Sequence, residues 1–207
     1  MSKRLLTAVF LIAVFGLLTV QRFTLPHEMP VRIAGGSGED AGYGFGLDLQ
    51  RGSVIDTKDG FLELTIGFES EDLDTAQNRV WMSRNTRVEL VRLFEDELIL
   101  KLHRGRILVL NKSEIPLMIK TNFTSSILMQ GLMSMVNYDF LETVHVMPIE
   151  GSVVVQIKDS DEAKLTPTAL SIHETDPVSI DPIEINLQAG SDADFYEWTE
   201  KIVPQNE

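Results

Sequence analysis

The 207-residue chain reads as an all-β protein, a short-stranded β-roll, solenoid-like domain or sandwich, with one apolar helix ahead of it and one short helix behind it. Three observations lead there. From Leu47 to Ile157 apolar residues alternate with polar ones at the period of two that half-buried strands require. Turn formers punctuate the stretch at Lys58-Asp59-Gly60, Gly67, Arg104-Gly105, Asn111-Lys112-Ser113, Gly131, Asn137, Pro148 and Gly151. No long helical pattern separates the strands, which argues against the βαβ alternation of nucleotide-binding sheets.

The first element is the apolar run Leu5 to Val20, framed by Lys3 and Arg4 before it and Gln21 and Arg22 after it. As a helix it measures roughly 24 Å, and Phe23 and Leu25 extend it toward the roughly 30 Å of a hydrocarbon core if Arg22 snorkels. A cleaved signal peptide would need two small residues spaced two apart near the end of the run, and Thr19 to Thr24 offers no such pair. Residues 1–25 are therefore expected to form an uncleaved transmembrane signal anchor. Its basic flank would stay in the cytoplasm and the rest of the chain would lie on the extracytoplasmic, periplasmic or cell-surface side.

Residues 26–46 read as a glycine-rich linker. Pro26 and Pro30 stop a helix, and Gly35, Gly36, Gly38, Gly42, Gly44 and Gly46 follow closely. A phosphate loop is excluded there, because no lysine follows the glycines and no helical period succeeds them.

Residues 47–157 form the expected β-domain. Leu62, Leu64, Ile66 and Phe68 share one face, Val88 and Leu90 another, and Leu98, Leu100 and Leu102 a third. Further strands are expected at Ile107 to Leu110, Leu117 to Lys120, Ser126 to Met129, Met133 to Tyr138, Leu141 to Val146 and Ser152 to Ile157. Glycine precedes an aliphatic strand at Gly52, Gly105 and Gly151, an internal echo consistent with successive rungs. Met129, Met133, Met135 and Met147 crowd one region, as core filler or as an adaptable contact surface.

Residues 158–207 form an acidic extension. Pro167, Pro177 and Pro182 make Leu165 to Asp181 an extended connector, and Ile183 to Leu187 can add an edge strand. Ser191 suits an N-cap for a helix from Asp192 to Val203, ended by Pro204. On it Phe195, Trp198 and Ile202 fall on one stripe, which either packs back on the β-domain or is offered to a partner's groove.

Charge and composition narrow the function. Thirty-one acidic against 18 basic residues give a net charge of −13, which excludes a phosphate-backbone binder, so nucleic acid is not an expected partner. With no cysteine there is no disulfide frame, thiolate metal site or thiol nucleophile. His27, His103, His145 and His173 are scattered, without the spacing of a zinc motif, and no nucleophile elbow or Ser-x-x-Lys pair is present. No catalytic, cofactor-binding or metal-binding residue is expected, and the protein is not expected to be an enzyme.

The segments Gly52-Ser53-Val54-Ile55-Asp56-Thr57, Leu62 to Ile66, Ser83 to Leu90 and Leu98 to Arg106 resemble the FecR domain. So do Met118 to Thr121, Ser126 to Gly131 and Val144 to Val155. The family-motif positions are Gly52, Thr57, Gly105, Thr121, Gly131 and Gly151, expected as structural turns, and the family's Gly-Thr is Gly131-Leu132 here. The Phe195-x-x-Trp198 pattern is similar to segments that close some proteins of this family. The resemblance implies an extracytoplasmic β-module used for sensing or scaffolding through contact with a protein partner or a cell-wall component. In familiar members a cytoplasmic anti-sigma segment precedes the membrane helix. Met1 to Arg4 cannot hold one, so direct sigma-factor regulation is not expected. The rival reading is a membrane-tethered lipid-transfer β-domain of LptC type, which would need an open apolar trough where a recognition module is filled by its own aliphatics.

Overall fold

The computed structural model describes residues 26–37, 43–44, 46–68, 78–139, 141–160, 163–175, 177–184 and 193–202. Among the described residues, fifteen strands and one helix make up the order. The strands are β1 (Val31–Ser37), β2 (Asp48–Leu49), β3 (Val54–Asp56), β4 (Phe61–Ile66), β5 (Asn78–Met82), β6 (Arg87–Phe94), β7 (Glu97–Asn111) and β8 (Leu117–Lys120). Then come β9 (Thr124–Leu128), β10 (Leu132–Tyr138), β11 (Thr143–Glu150), β12 (Val153–Ile157), β13 (Ala163–Thr166), β14 (Leu170–His173) and β15 (Ser179–Pro182), followed by helix α1 (Ala193–Ile202).

The 15-residue β7 organises the molecule. Its first half pairs with β6 and β8 in a first sheet of order β3-β6-β7-β8-β9-β12-β13. Its second half pairs with β5 and β10 in a second sheet of order β2-β1-β4-β5-β7-β10-β11-β14-β15. Every pairing is antiparallel except β7 with β8. Between the halves Gly105 takes a positive φ of 89°. The core-facing positions change parity there, from Leu98, Leu100 and Leu102 to Ile107 and Val109. A register shift between Arg87 and Val88 on the partner strand marks the bulge that makes this change. One strand thus leaves one sheet and enters the next with its aliphatics still turned inward.

Those inward residues form one continuous core shared by both sheets, with Leu64, Ile66, Val80, Leu90, Leu100, Ile119, Val136 and Val146 all fully buried. This is a two-sheet sandwich, filled throughout by its own alternate side chains. A second apolar cluster lies on the far side of the second sheet: Phe61, Trp81, Leu108, Met133, Met135 and Met147, covered by Phe195 of α1. The central strands of that sheet are therefore buried on both faces, as the burial of every β4 residue but Thr65 records.

Several expectations are corrected. The fold is not a solenoid-like roll of short strands: its neighbours pair antiparallel across two sheets, and Gly105, read as a chain reversal, is a bend inside one long strand. The expected transmembrane helix is not among the elements described. Among the described residues no helix is long and apolar enough to cross a membrane, the one described helix has ten residues, and Leu5–Val20 lies outside the described residues.

Residues 26–46 are not merely a linker. Met29 donates its N–H to the Leu93 carbonyl at 2.7 Å, and Val31 and Ile33 are core residues of β1. The glycines there serve close approach, since a Cβ on Gly36 would stand 2.9 Å from the Phe61 carbonyl oxygen. The acidic extension also belongs to the sandwich. β13 runs into the expected connector and β14 lies inside it, and the edge strand is Ser179–Pro182, ahead of the expected Ile183 to Leu187, of which residues 185–187 lie outside the described residues. Proline at the end of this edge strand leaves no ladder N–H unmet.

Candidate functional site

The family-motif positions sit at the corners of the sandwich and do not converge. Gly52, Gly131 and Gly151 occupy turns with positive φ. Thr57 and Thr86 form a hydroxyl staple around the β7 bend. Thr57 Oγ1 donates to the Ser83 carbonyl at 2.6 Å and accepts the Thr86 N–H at 3.0 Å. Thr86 Oγ1 accepts the Arg106 N–H at 3.0 Å and donates to the Arg106 carbonyl at 3.1 Å. Thr121 closes the β8–β9 turn by accepting the Thr124 N–H at 3.0 Å. These are backbone-satisfying roles, the use of threonine hydroxyls where a ladder is interrupted.

The helix stripe packs on its own protein. Phe195 is fully buried, Trp198 is half-buried, and Phe61 stands between them with ring centroids 5.9 and 5.2 Å away. The Arg84 guanidinium lies 4.9 Å from the Phe61 centroid on the same cluster. Of the two readings of the Phe195 and Trp198 stripe, packing back and a partner-binding helix, the structure has the first: the two rings lie on the outer face of the second sheet. Met133, Met135 and Met147 fill that cluster, whereas Met129 is half-exposed elsewhere.

Three of the polar groupings bear on chemistry. Ser171 Oγ lies 3.0 Å from His173 Nε2, and His173 Nδ1 lies 3.1 Å from Thr143 Oγ1. A nucleophile and base of this kind need a carboxylate or similar group to orient the imidazole. A threonine hydroxyl occupies that place, and Ser171 is buried, so the chain of bonds satisfies polar side chains on a sheet face. His103 Nε2 meets Glu89 Oε2 at 2.9 Å. Glu63 is buried on β4, where desolvation pushes its carboxyl above the ordinary range, opposed by the Arg79 guanidinium at 3.8 Å. Among the described residues no three His, Asp or Glu side chains are grouped to hold a metal ion.

The outer face of the first sheet differs from that of the second. Ile99, Met118, Ile127, Val154 and Leu165 are direct cross-strand partners in sequence, from β7 through β8, β9 and β12 to the edge strand β13. They belong to neither apolar cluster. Ile99 is buried at 6% exposure, Met118, Ile127 and Val154 are half-buried, and Leu165 is 65% exposed. This row was not anticipated. Its signal was an apolar residue at the outward position of several strands, which alternation alone assigns to solvent.

No protein-family profile matches the sequence, and no curated protein matches it as a relative. Solved structures do. A candidate anti-sigma factor from Parabacteroides distasonis, solved at 1.65 Å, superposes with a TM-score of 0.50 at 15% identity, over 66% of this chain and 61% of the other. A second candidate anti-sigma factor structure from the same organism, at 2.50 Å, gives a TM-score of 0.44 at 16% identity over 54% and 53% of the two chains. This chain thus spans less than two thirds of either protein, and the likeness to the first is one of fold.

Proposed function

We propose that this chain is a non-catalytic protein-interaction module of the cell envelope, FecR-like in kind, with sensing or scaffolding as its task. The observation that carries the reading is the filled sandwich. Its inward positions hold the chain's own aliphatics at or near zero exposure, and the second apolar face is closed by α1. A lipid carrier of LptC type needs an apolar trough between its strands, and here that volume is occupied by the protein itself. Contact at outer surfaces is what remains for such a body to do.

The fold likeness to a candidate anti-sigma factor supports a regulatory role and agrees with the FecR resemblance of Gly52 to Val155. Placement outside the cytoplasm belongs to the same proposal. Its support is the apolar Leu5 to Val20 run behind Lys3 and Arg4, which has the make-up of an export leader.

The test is formaldehyde crosslinking of the full chain in its own cells, followed by mass spectrometry. Discrete protein adducts on the extracytoplasmic side are expected. Retention of lipid or glycan without protein, or recovery of the chain from the cytoplasm, would overturn the proposal.

A further inference from the structure

We infer that the outer face of the first sheet is the docking site, and that its occupant is a partner-protein segment with an apolar stripe edged by carboxylates. This rests on the interaction-module reading and adds the place and the chemistry. The accessible row Met118, Ile127, Val154 and Leu165, with buried Ile99 at its inner end, crosses three strand-to-strand steps, about 14 Å at the usual spacing. That length matches a helix of about 10 residues lying across the strands. The corresponding face of the second sheet is closed by α1, while no described element covers this one.

Charge selects the occupant. Beside the apolar row runs a second cross-strand row in which Lys101 of β7 is paired with Lys120 of β8. The carboxylates near them are already engaged. Glu89, opposite Lys101, turns to His103 at 2.9 Å, and Glu97 is held by the Arg92 guanidinium at 2.6 Å. Among the described residues neither Lys101 nor Lys120 has a carboxylate within 4.0 Å. On a chain of net charge −13, two adjacent lysines without ion partners beside an apolar row form a local field of the opposite sign. A second copy docked face to face would set these lysines against their own equivalents, a like-charge arrangement that costs affinity. A partner segment with acidic residues along one edge of its apolar stripe meets both features at once.

The experiment places the photocrosslinker p-benzoylphenylalanine at Ile127 on the proposed face, and separately at Asp194, exposed on α1, in the full chain in its own cells. Adducts from position 127, absent from 194, should map to a partner segment bearing apolar residues and carboxylates. They should fall about tenfold in the Lys101→Glu, Lys120→Glu double variant, with its circular dichroism unchanged. Adducts indifferent to charge reversal, mapping to a basic segment or a second copy, or arising equally from 194 would overturn the inference. Silence at 127 with formaldehyde still capturing protein would sink the docking face and leave the interaction module standing. Failure of both would sink both.

Discussion

Gly105 and Thr86 approach so closely that a Cβ on the glycine would stand 2.5 Å from the threonine Cα. The contact lies at the bend where β7 leaves one sheet for the other, and the backbone there has a positive φ. Gly105→Ala combines strain with a backbone clash that no side-chain rotation relieves. The expected loss is about 3 kcal/mol or more by denaturant unfolding. Gly52→Ala, at a positive φ with open space around it, should cost only about 1 kcal/mol. Equal losses would show that the bend is not the constrained point.

The threonine staple predicts a second effect. Thr86→Val keeps the volume but removes the hydroxyl that accepts the Arg106 N–H at a part-buried site, while the Arg106 carbonyl keeps the Ser83 N–H. About 1–3 kcal/mol should be lost, with faster hydrogen exchange at the Arg106 amide. Serine at the same position restores the hydroxyl and should recover most of the loss.

Helix α1 should behave as part of the core. Phe195→Ala removes a fully buried ring from the Phe61 and Trp81 cluster and is expected to cost about 3–5 kcal/mol. Trp198→Ala should cost less, since that ring is half-buried. The variants should bind a hydrophobic dye and exchange the α1 amides faster. If Phe195→Ala leaves unfolding unchanged, the helix is not held by its stripe.

Glu63 makes stability depend on pH. Burial raises its carboxyl above the ordinary range, so the native protein keeps that proton to higher pH than the unfolded chain does. In the window between the two values the native state binds more protons. Glu63 therefore lowers stability as pH rises through the window, and the loss is regained as pH falls back to the ordinary carboxylate range. Glu63→Gln mimics the protonated form at every pH; the attraction to Arg79 acts only on the ionised carboxylate and is already part of the net upward shift. Against the parent the variant should gain stability as pH rises through the window. A difference that does not vary with pH would contradict this placement of Glu63.

The β-class was legible because alternation is a local property: Leu62, Leu64 and Ile66, or Leu98, Leu100 and Leu102, point to one face whatever their partners are. What was not legible was pairing. Gly105 looks the same in sequence whether the chain reverses or bends, and only the presence of Thr86 across the gap decides. Gly35 and Gly36 suggested a tether, yet they are glycines because β4 lies against them. Phe195 and Trp198 were readable as a stripe, but the face that receives them is assembled from β4, β5, β7, β10 and β11 and exists only after folding. The row from Ile99 to Leu165 was hidden for the same reason, because each residue is unremarkable in its own strand and the register alone aligns them.

Native mass spectrometry of the full chain, purified from its own cells without delipidation, tests most directly whether the sandwich is closed. The expected spectrum contains the bare chain and protein complexes of it. A one-to-one adduct with a lipid that survives exchange into buffer would mean that the strands enclose cargo, and the contact function proposed for this protein would have to be abandoned.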